Sequence, residues 1–247
     1  MNGVAIQKST SEILIMCLIK SLFCHRHFVL HLLCSTQRKH FFRWLKSLQP
    51  DYLLDQPSAW LTFDAIEFLK SHLREGMQVF EYGSGGSTLF WLSYGASCVS
   101  IEHDPNWYNL MQPRFEGVDR IDYRLVLPEP VENNDARDIA DPSLYLSEDV
   151  SFNGYNFKNY VSQIDAFPDD FFDIVLVDGR SRPACIMHSV GKVKRGGMLI
   201  LDNSERDYYR SKTRSYLNSF DEKEFRGAIP ANPLWSATTI FTKAHSS

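Results

Sequence analysis

The sequence predicts an α/β domain: a doubly wound, seven-stranded, mostly parallel sheet with a terminal antiparallel hairpin and an N-terminal helical extension. Three observations predict it. From Met77 onward, short apolar runs alternate with helical patterns, the signature of strand–helix–strand units that pair in parallel. One run, Phe172–Val177 (FDIVLV), is apolar at nearly every position, as a strand covered on both faces should be. The last two runs, Glu224–Ile229 and Thr238–Thr242, flank a Pro- and Asn-containing loop and read as a hairpin, one strand of which should run against the rest.

In chain order, a leading helix is expected between Leu53 and His72. Met77–Tyr82 is the first strand, followed by a glycine turn and a helix over Ser87–Tyr94 that Gly95 stops. Cys98–Glu102 is the second strand. Asp104 and Pro105 offer an N-cap and a first-turn proline for a helix running into Phe115. Ile121–Leu127 is the third strand. Residues 128–154 are acidic and irregular, the pattern of a lid, a binding loop or disorder. A helix over Tyr155–Phe167 then leads to the fourth strand, Phe172–Val177. A helix over Pro183–Val193 and a turn at Gly196-Gly197 lead to the fifth strand, Met198–Leu201. Glu205–Ser219 reads as one further helix before the hairpin.

The chain has 247 residues, of which 44% are hydrophobic and 23% charged, which excludes collagen-like, low-complexity and wholly disordered classes. The net charge of -4 is unevenly spread: residues 1–50 carry +6 and the remainder -10. This separates a basic helical extension (1–50) from a domain (51–247), and the acidic body disfavours a nucleic-acid partner. Within the extension, the apolar runs Ile13–Ile19 and Phe28–Cys34 are interrupted by Lys20, His25, Arg26 and His27. Neither a membrane-spanning helix nor a signal peptide is expected, and a cytoplasmic location follows. Two readings of the extension stand. Its helices pack on the domain or on a second subunit, or Arg38, Lys39, Phe41, Phe42, Arg43 and Trp44 form an arm that touches a membrane surface or an acidic partner. Because the sheet begins near Met77, removing residues 1–34 is expected to leave ligand affinity intact. The five cysteines show no CxxC spacing and read as reduced thiols.

Ligands of such sheets sit at the carboxyl ends of the strands, beside the first strand. The loop there is Glu81-Tyr82-Gly83-Ser84-Gly85-Gly86-Ser87-Thr88. Gly83 and Gly85 let the backbone turn sharply and approach a ligand, and Ser87 or Thr88 can cap the following helix. Glu102, at the end of the second strand, is placed to accept hydrogen bonds from ribose hydroxyls. Glu81, directly before the glycines, would repel a pyrophosphate and suits a ligand with an ammonium group and no phosphate. S-adenosylmethionine has that chemistry.

The stretches VFEYGSGGSTLFWL, VSIEHDPNWY, DIVLVDGRSRP and GGMLILDNSER resemble the class I S-adenosylmethionine-dependent methyltransferases over roughly Trp60 to Lys243. Glu81, Gly83 and Gly85 match the family's acid-x-Gly-x-Gly-x-Gly motif, while Ser87 stands where the third glycine would be. The resemblance implies that Glu81 orients the cofactor's amino group through the loop or water. It also implies that Tyr82, Gly83, Ser84, Gly85, Ser87 and Thr88 form the cofactor loop, and that His103 lies beside the ribose or adenine. An exposed helix-entry histidine is the other reading of His103.

Asp178 ends the fourth strand and Asp202-Asn203 ends the fifth, on the same side as the loop. Two acids and an amide there can remove the proton of a hydroxyl acceptor, or hold a divalent cation such as magnesium. The magnesium option is similar to the catechol O-methyltransferase group, but here Arg180 and Arg182 follow Asp178 at once and can neutralise it. Capping of the helix from Glu205 is the structural alternative for Asp202-Asn203. Tyr145, Tyr155, Tyr160 and Trp235 are candidate acceptor contacts. The expected activity is O-methylation of a small molecule or glycan. The competing readings are a catalytically inactive interaction module and an NAD-dependent oxidoreductase.

Overall fold

The computed structural model describes residues 25–131 and 138–245. The run Ile13–Ile19, Cys17, Cys24 and residues 132–137 of the 128–154 segment lie outside the described residues. The helices are α1 (Arg26–Cys34), α2 (Phe41–Ser47), α3 (Tyr52–Asp55), α4 (Phe63–His72), α5 (Gly86–Ser93), α6 (Pro105–Met111), α7 (Lys158–Val161), α8 (Arg182–Ser189) and α9 (Tyr208–Ser211). The strands are β1 (Gln78–Tyr82), β2 (Ser97–Glu102), β3 (Ile121–Leu125), β4 (Glu129–Pro130), β5 (Tyr155–Asn156), β6 (Phe172–Val177), β7 (Val193–Asp202), β8 (Phe220–Ala228) and β9 (Trp235–Lys243).

Seven of the strands form one sheet in the order β3-β2-β1-β6-β7-β9-β8. All of its pairings are parallel except those of β9, which runs against both β7 and β8. The expected sheet, with one reversed strand in a terminal hairpin, is therefore the one present. The chain leaves β1 toward β2 and β3, then crosses back to β6 on the other side. The loops after β1 and β6 diverge there and open the crevice in which such sheets hold ligands.

Side chains alternate across each strand, so both faces must be apolar where helices cover both. Val79, Ile174, Leu176 and Ile200 join one core with Phe63, Ile66, Leu69, Phe90 and Trp91. Phe80, Val175, Val177 and Leu199 join the opposite core with Phe157, Ile164 and Ile186.

Residues 26–48 belong to the first of these cores. Leu32 and Trp44 are fully buried in it. Trp44 Nε1 donates to the Asn232 carbonyl at 2.9 Å, and Ser47 Oγ accepts from the Ala231 amide at 2.8 Å. Gln37 and His40 meet Asp64 on α4. The packing reading of the extension therefore holds for this part of it. Deleting residues 1–34 removes Leu32 from the core, so it costs stability even though the sheet itself begins at Gln78.

Three elements depart from expectation. Residues 205–219 form two short pieces, α9 and a 3-10 turn over Arg214–Leu217, rather than one helix. Glu205 is drawn into tertiary contacts instead, accepting from the Ala237 amide at 2.8 Å and from Ser236 Oγ at 3.2 Å. Gly196-Gly197 lies inside β7 rather than before it, where the register against β6 shifts between Phe172 and Ile174. The 128–154 segment is tied at its base by the small ladder of β4 and β5, so Tyr155 begins a strand rather than a helix. Cys34, Cys98 and Cys185 are free thiols. Among the described residues no helix is long and apolar enough to cross a membrane.

Candidate active site

The β1 and β6 loops touch. Gly83 has φ +92, and a Cβ there would stand 3.0 Å from Gly179 Cα. Both the left-handed backbone and the close approach therefore require glycine. Between these loops and the end of β7 lies a cavity of about 530 Å³. Gly83, Ser84, Glu102, His103, Asp178, Asp202 and Asn203 all line it, so seven of the residues singled out from sequence are brought together. Gly85 and Ser87 line an adjoining recess of about 300 Å³, roofed by Tyr52, Leu53 and Leu54.

Glu81, Tyr82 and Thr88 lie behind the loop and line neither space, so any part that Glu81 plays is the indirect one expected of it, through the loop. Tyr82 is buried and donates from its hydroxyl to the Val161 carbonyl. Glu81 Oε1 accepts from Thr88 Oγ1 and from Ser100 Oγ, and its Oε2 accepts from Trp91 Nε1 at 3.1 Å. Thr88 Oγ1 in turn accepts from the Gly85 amide at 3.0 Å, so Glu81 reaches the loop through one intermediary. Glu81 lines neither space, so it does not meet a ligand directly and the argument against dinucleotides no longer rests on it.

Burial pushes the Glu81 carboxyl up to about 7, against the pull of its hydroxyl and indole partners. The folded state then binds a proton that the unfolded chain releases, and stability falls as pH rises from about 4.5 through about 7. Glu81→Gln should therefore raise stability at pH 8, by on the order of 3 kcal/mol if the full difference is recovered, and should gain nothing in acid below the ordinary glutamate pKa. Chemical denaturation at the two pH values reads this. A loss of stability at both would place an ionised Glu81 in the fold.

Glu102 is nearly fully buried at the end of β2. Its Oε1 accepts from the amides of His103 (2.7 Å) and Asp104 (2.9 Å), and its Oε2 from the amide and hydroxyl of Ser84 (3.2 and 2.9 Å). Burial alone would raise its pKa; hydrogen bonds from His103, Asp104 and Ser84 outweigh that and hold it below the usual range. Ser84 Oγ also lies 2.8 Å from Tyr123 Oη, so its hydroxyl has a second partner when a ligand takes its place on Glu102.

His103 is not an exposed entry residue. It packs edge-on against Phe152, Phe157 and Tyr160, and Arg180 Nε donates to its Nε2 at 3.3 Å. That places the ring proton on Nδ1, which sits 2.9 Å from Glu102 Oε1 but off the line of a hydrogen bond. Arg180 also binds Asp149 at 3.0 Å and Glu148 at 3.7 Å, so it fastens the described part of the 128–154 segment beside the cavity.

At the far end, Arg182 is buried and stacked on Tyr209. Its Nη2 donates to Asp178 Oδ1 at 3.0 Å, its Nε to the Gly179 carbonyl at 3.0 Å, and its Nη1 to the Asp202 carbonyl. Burial raises the Asp178 carboxyl to about 6 against the pull of Arg182. Asp202 is pushed well above the usual carboxylate range by burial and by Asp178. The two acids titrate as a pair, one holding a proton while the other is balanced by Arg182. Asp202 Oδ1 accepts from Thr238 Oγ1 at 2.9 Å and Asn203 Nδ2 donates to Ser236 Oγ at 3.1 Å, so neither side chain caps a helix.

A divalent cation here would have to compete with partners already in place. A guanidinium already holds Asp178, Thr238 holds Asp202, and the Asn203 amide donates toward Ser236. Among the described residues no three His, Cys, Asp or Glu side chains converge as a metal site.

The sequence reading missed several walls. Trp60, Trp107, Ile229, Asn232 and Leu234 line the cavity. Only Trp107 carried a signal, standing in the first turn of a helix that Asp104 caps; its Nε1 donates to the Ser84 carbonyl at 2.9 Å. Of the expected acceptor aromatics, Tyr160 is core, Tyr155 is exposed, Tyr145 meets His188, and Trp235 packs on Phe28 and His31 of α1.

No protein-family model and no curated protein matches the sequence. Among solved structures, a candidate O-methyltransferase from Klebsiella pneumoniae matches over 81% of this chain and 90% of its own, with 14% identity and a TM-score of 0.53. The chain has the class I methyltransferase fold. A precorrin-6y C5,15-methyltransferase from Geobacter metallireducens is also similar, at 12% identity over 73% of this chain and 87% of its own, with a TM-score of 0.48. In a sheet of this fold the reversed β9 separates the chain from open dinucleotide-binding sheets that are parallel throughout.

Proposed function

We propose that the chain is an S-adenosylmethionine-dependent methyltransferase acting on a hydroxyl group of a small molecule or glycan. The observation that carries this reading is the single cavity in which the glycine loop and Glu102 face the paired carboxylates Asp178 and Asp202. The space and its donors suit the cofactor: a loop that only glycine can form, and a buried carboxylate with one exchangeable partner, Ser84 Oγ. Gly83, Ser84, Gly85 and Ser87 would cradle the cofactor's methionine side, Glu102 its ribose hydroxyls, and Trp107 and His103 its flanks. When bound, it supplies a methyl group already activated by the sulfonium.

The chain's own part is to position the acceptor and take its proton. Asp178, raised to about 6, is ionised at neutral pH and still basic enough to accept a hydroxyl proton. Arg182 fixes its orientation and offsets its charge, and Asp202 shares the proton load. Trp60, Ile229 and Leu234 supply an apolar wall against which an acceptor can be held and water excluded.

The test is a screen of hydroxyl acceptors for labelled methyl transferred from S-adenosylmethionine, run with and without EDTA. Because Arg182 rather than a metal neutralises Asp178, turnover should be unchanged by EDTA. Activity that vanishes with the chelator and returns with magnesium would overturn the metal-free reading. Binding of the cofactor without transfer to any acceptor would favour the inactive module.

A further inference from the structure

The N-terminal helices bury one side in the core and carry large apolar side chains among the exposed ones. Leu30 is 59% exposed, Leu33 43% and Phe42 79%. Between the two helices runs a row of ring contacts. Phe42 contacts Phe41, which meets Trp44; Trp44 meets Phe28, and Phe28 and His31 both meet Trp235. Next in the chain to Trp235 is Leu234, which is 55% exposed and also lines the cavity. The row passes through the core, because Trp44 is fully buried, and the exposed apolar side chains stand at separate points, Leu30 and Leu33 on α1 and Phe42 on α2.

The segment's own charges have one sign. No acid occurs between Glu12 and Asp51, while Arg26, Arg38, Lys39, Arg43 and Lys46 all fall there. The acids packed against this region come from α4: Asp64, met by Lys39 and His40, and Glu67, met by Arg43. Arg38 and Lys46 are exposed. Large apolar side chains standing out of a cationic surface match the chemistry of an anionic lipid interface, which rewards both apolar insertion and positive charge. An acidic protein partner would be matched by the cations but not by the protruding Leu30, Leu33 and Phe42.

We infer that α1 and α2 dock the chain on an anionic lipid surface, with Leu30, Leu33 and Phe42 entering the interface and Arg38 and Lys46 meeting lipid headgroups. This goes beyond methyl transfer and does not depend on it.

The experiment is flotation of the full chain with phosphatidylcholine vesicles, with and without phosphatidylserine. Binding is expected only with phosphatidylserine, and should fall steeply with added salt. Arg38→Glu with Lys46→Glu should weaken binding by roughly tenfold or more. Leu30→Ser with Phe42→Ser, which alters exposed positions only, should weaken it by a similar factor with an unchanged melting temperature. No binding to anionic vesicles would overturn the inference, as would equal binding to neutral ones. So would a salt-resistant dimer that Phe42→Ser dissociates, since a second copy would then cover the face.

Discussion

Asp178→Asn should lower methyl-transfer turnover by roughly 10²–10⁴-fold, the contribution typical of a positioned general base, while leaving cofactor binding intact. Asparagine keeps the side chain's shape and can still accept from Arg182, so the loss isolates the proton acceptor. In the parent chain turnover should rise with pH through about 6, as Asp178 gives up its proton while Asp202 keeps its own. Asp178→Asn should flatten that limb. Steady-state rates on the acceptor found by the screen, measured across pH, read both effects. Full turnover by an Asp178→Asn, Asp202→Asn double variant would remove both residues from the chemistry and leave positioning by the cavity walls as the source of rate.

Arg182→Met should destabilise the fold by about 3–5 kcal/mol, the cost of stranding buried charge after its partner is removed. The guanidinium is the cation that holds Asp178, and it also satisfies the carbonyls of Gly179 and Asp202. Methionine fills comparable space against Tyr209 but leaves those acceptors bare and two raised carboxylates facing each other. Protonation relieves part of this penalty, so the deficit should shrink as pH falls toward about 6 and level off below it, where Asp178 is protonated in both chains. Urea denaturation at neutral and acid pH reads it. A deficit under about 1 kcal/mol would mean that Asp178 and Asp202 do not depend on Arg182 for their charge balance.

The sheet was legible because its strands are bounded by glycine turns and caps and filled with apolar residues on both faces. Those local signals fix Phe172–Val177 and the Asp104–Pro105 helix start without tertiary help. The glycine loop, Glu102, Asp178 and Asp202 were legible for a related reason: parallel strands deliver their final residues to one edge. Which way a side chain points from that edge is a tertiary matter. Glu81 turns inward because Thr88, Ser100 and Trp91 offer three donors behind the loop. The cavity walls were hidden because Trp60, Asn232 and Leu234 come from distant segments that meet only after folding. For residues 26–48 packing was legible as one of two readings, but its partners were not. Charge divides the chain at residue 50, but packing does not: Trp44 is held by Asn232, 188 residues along the chain.

Calorimetric titration with S-adenosylhomocysteine tests the proposed cofactor site most directly. The parent chain should bind one equivalent. Glu102→Gln, which replaces a charged acceptor of the ribose hydroxyls by a neutral amide of the same shape, should weaken binding by about 1–3 kcal/mol with the fold retained. Absence of binding to the folded parent chain, or equal affinity in parent and variant, would contradict a cofactor site built on the β1 loop and Glu102.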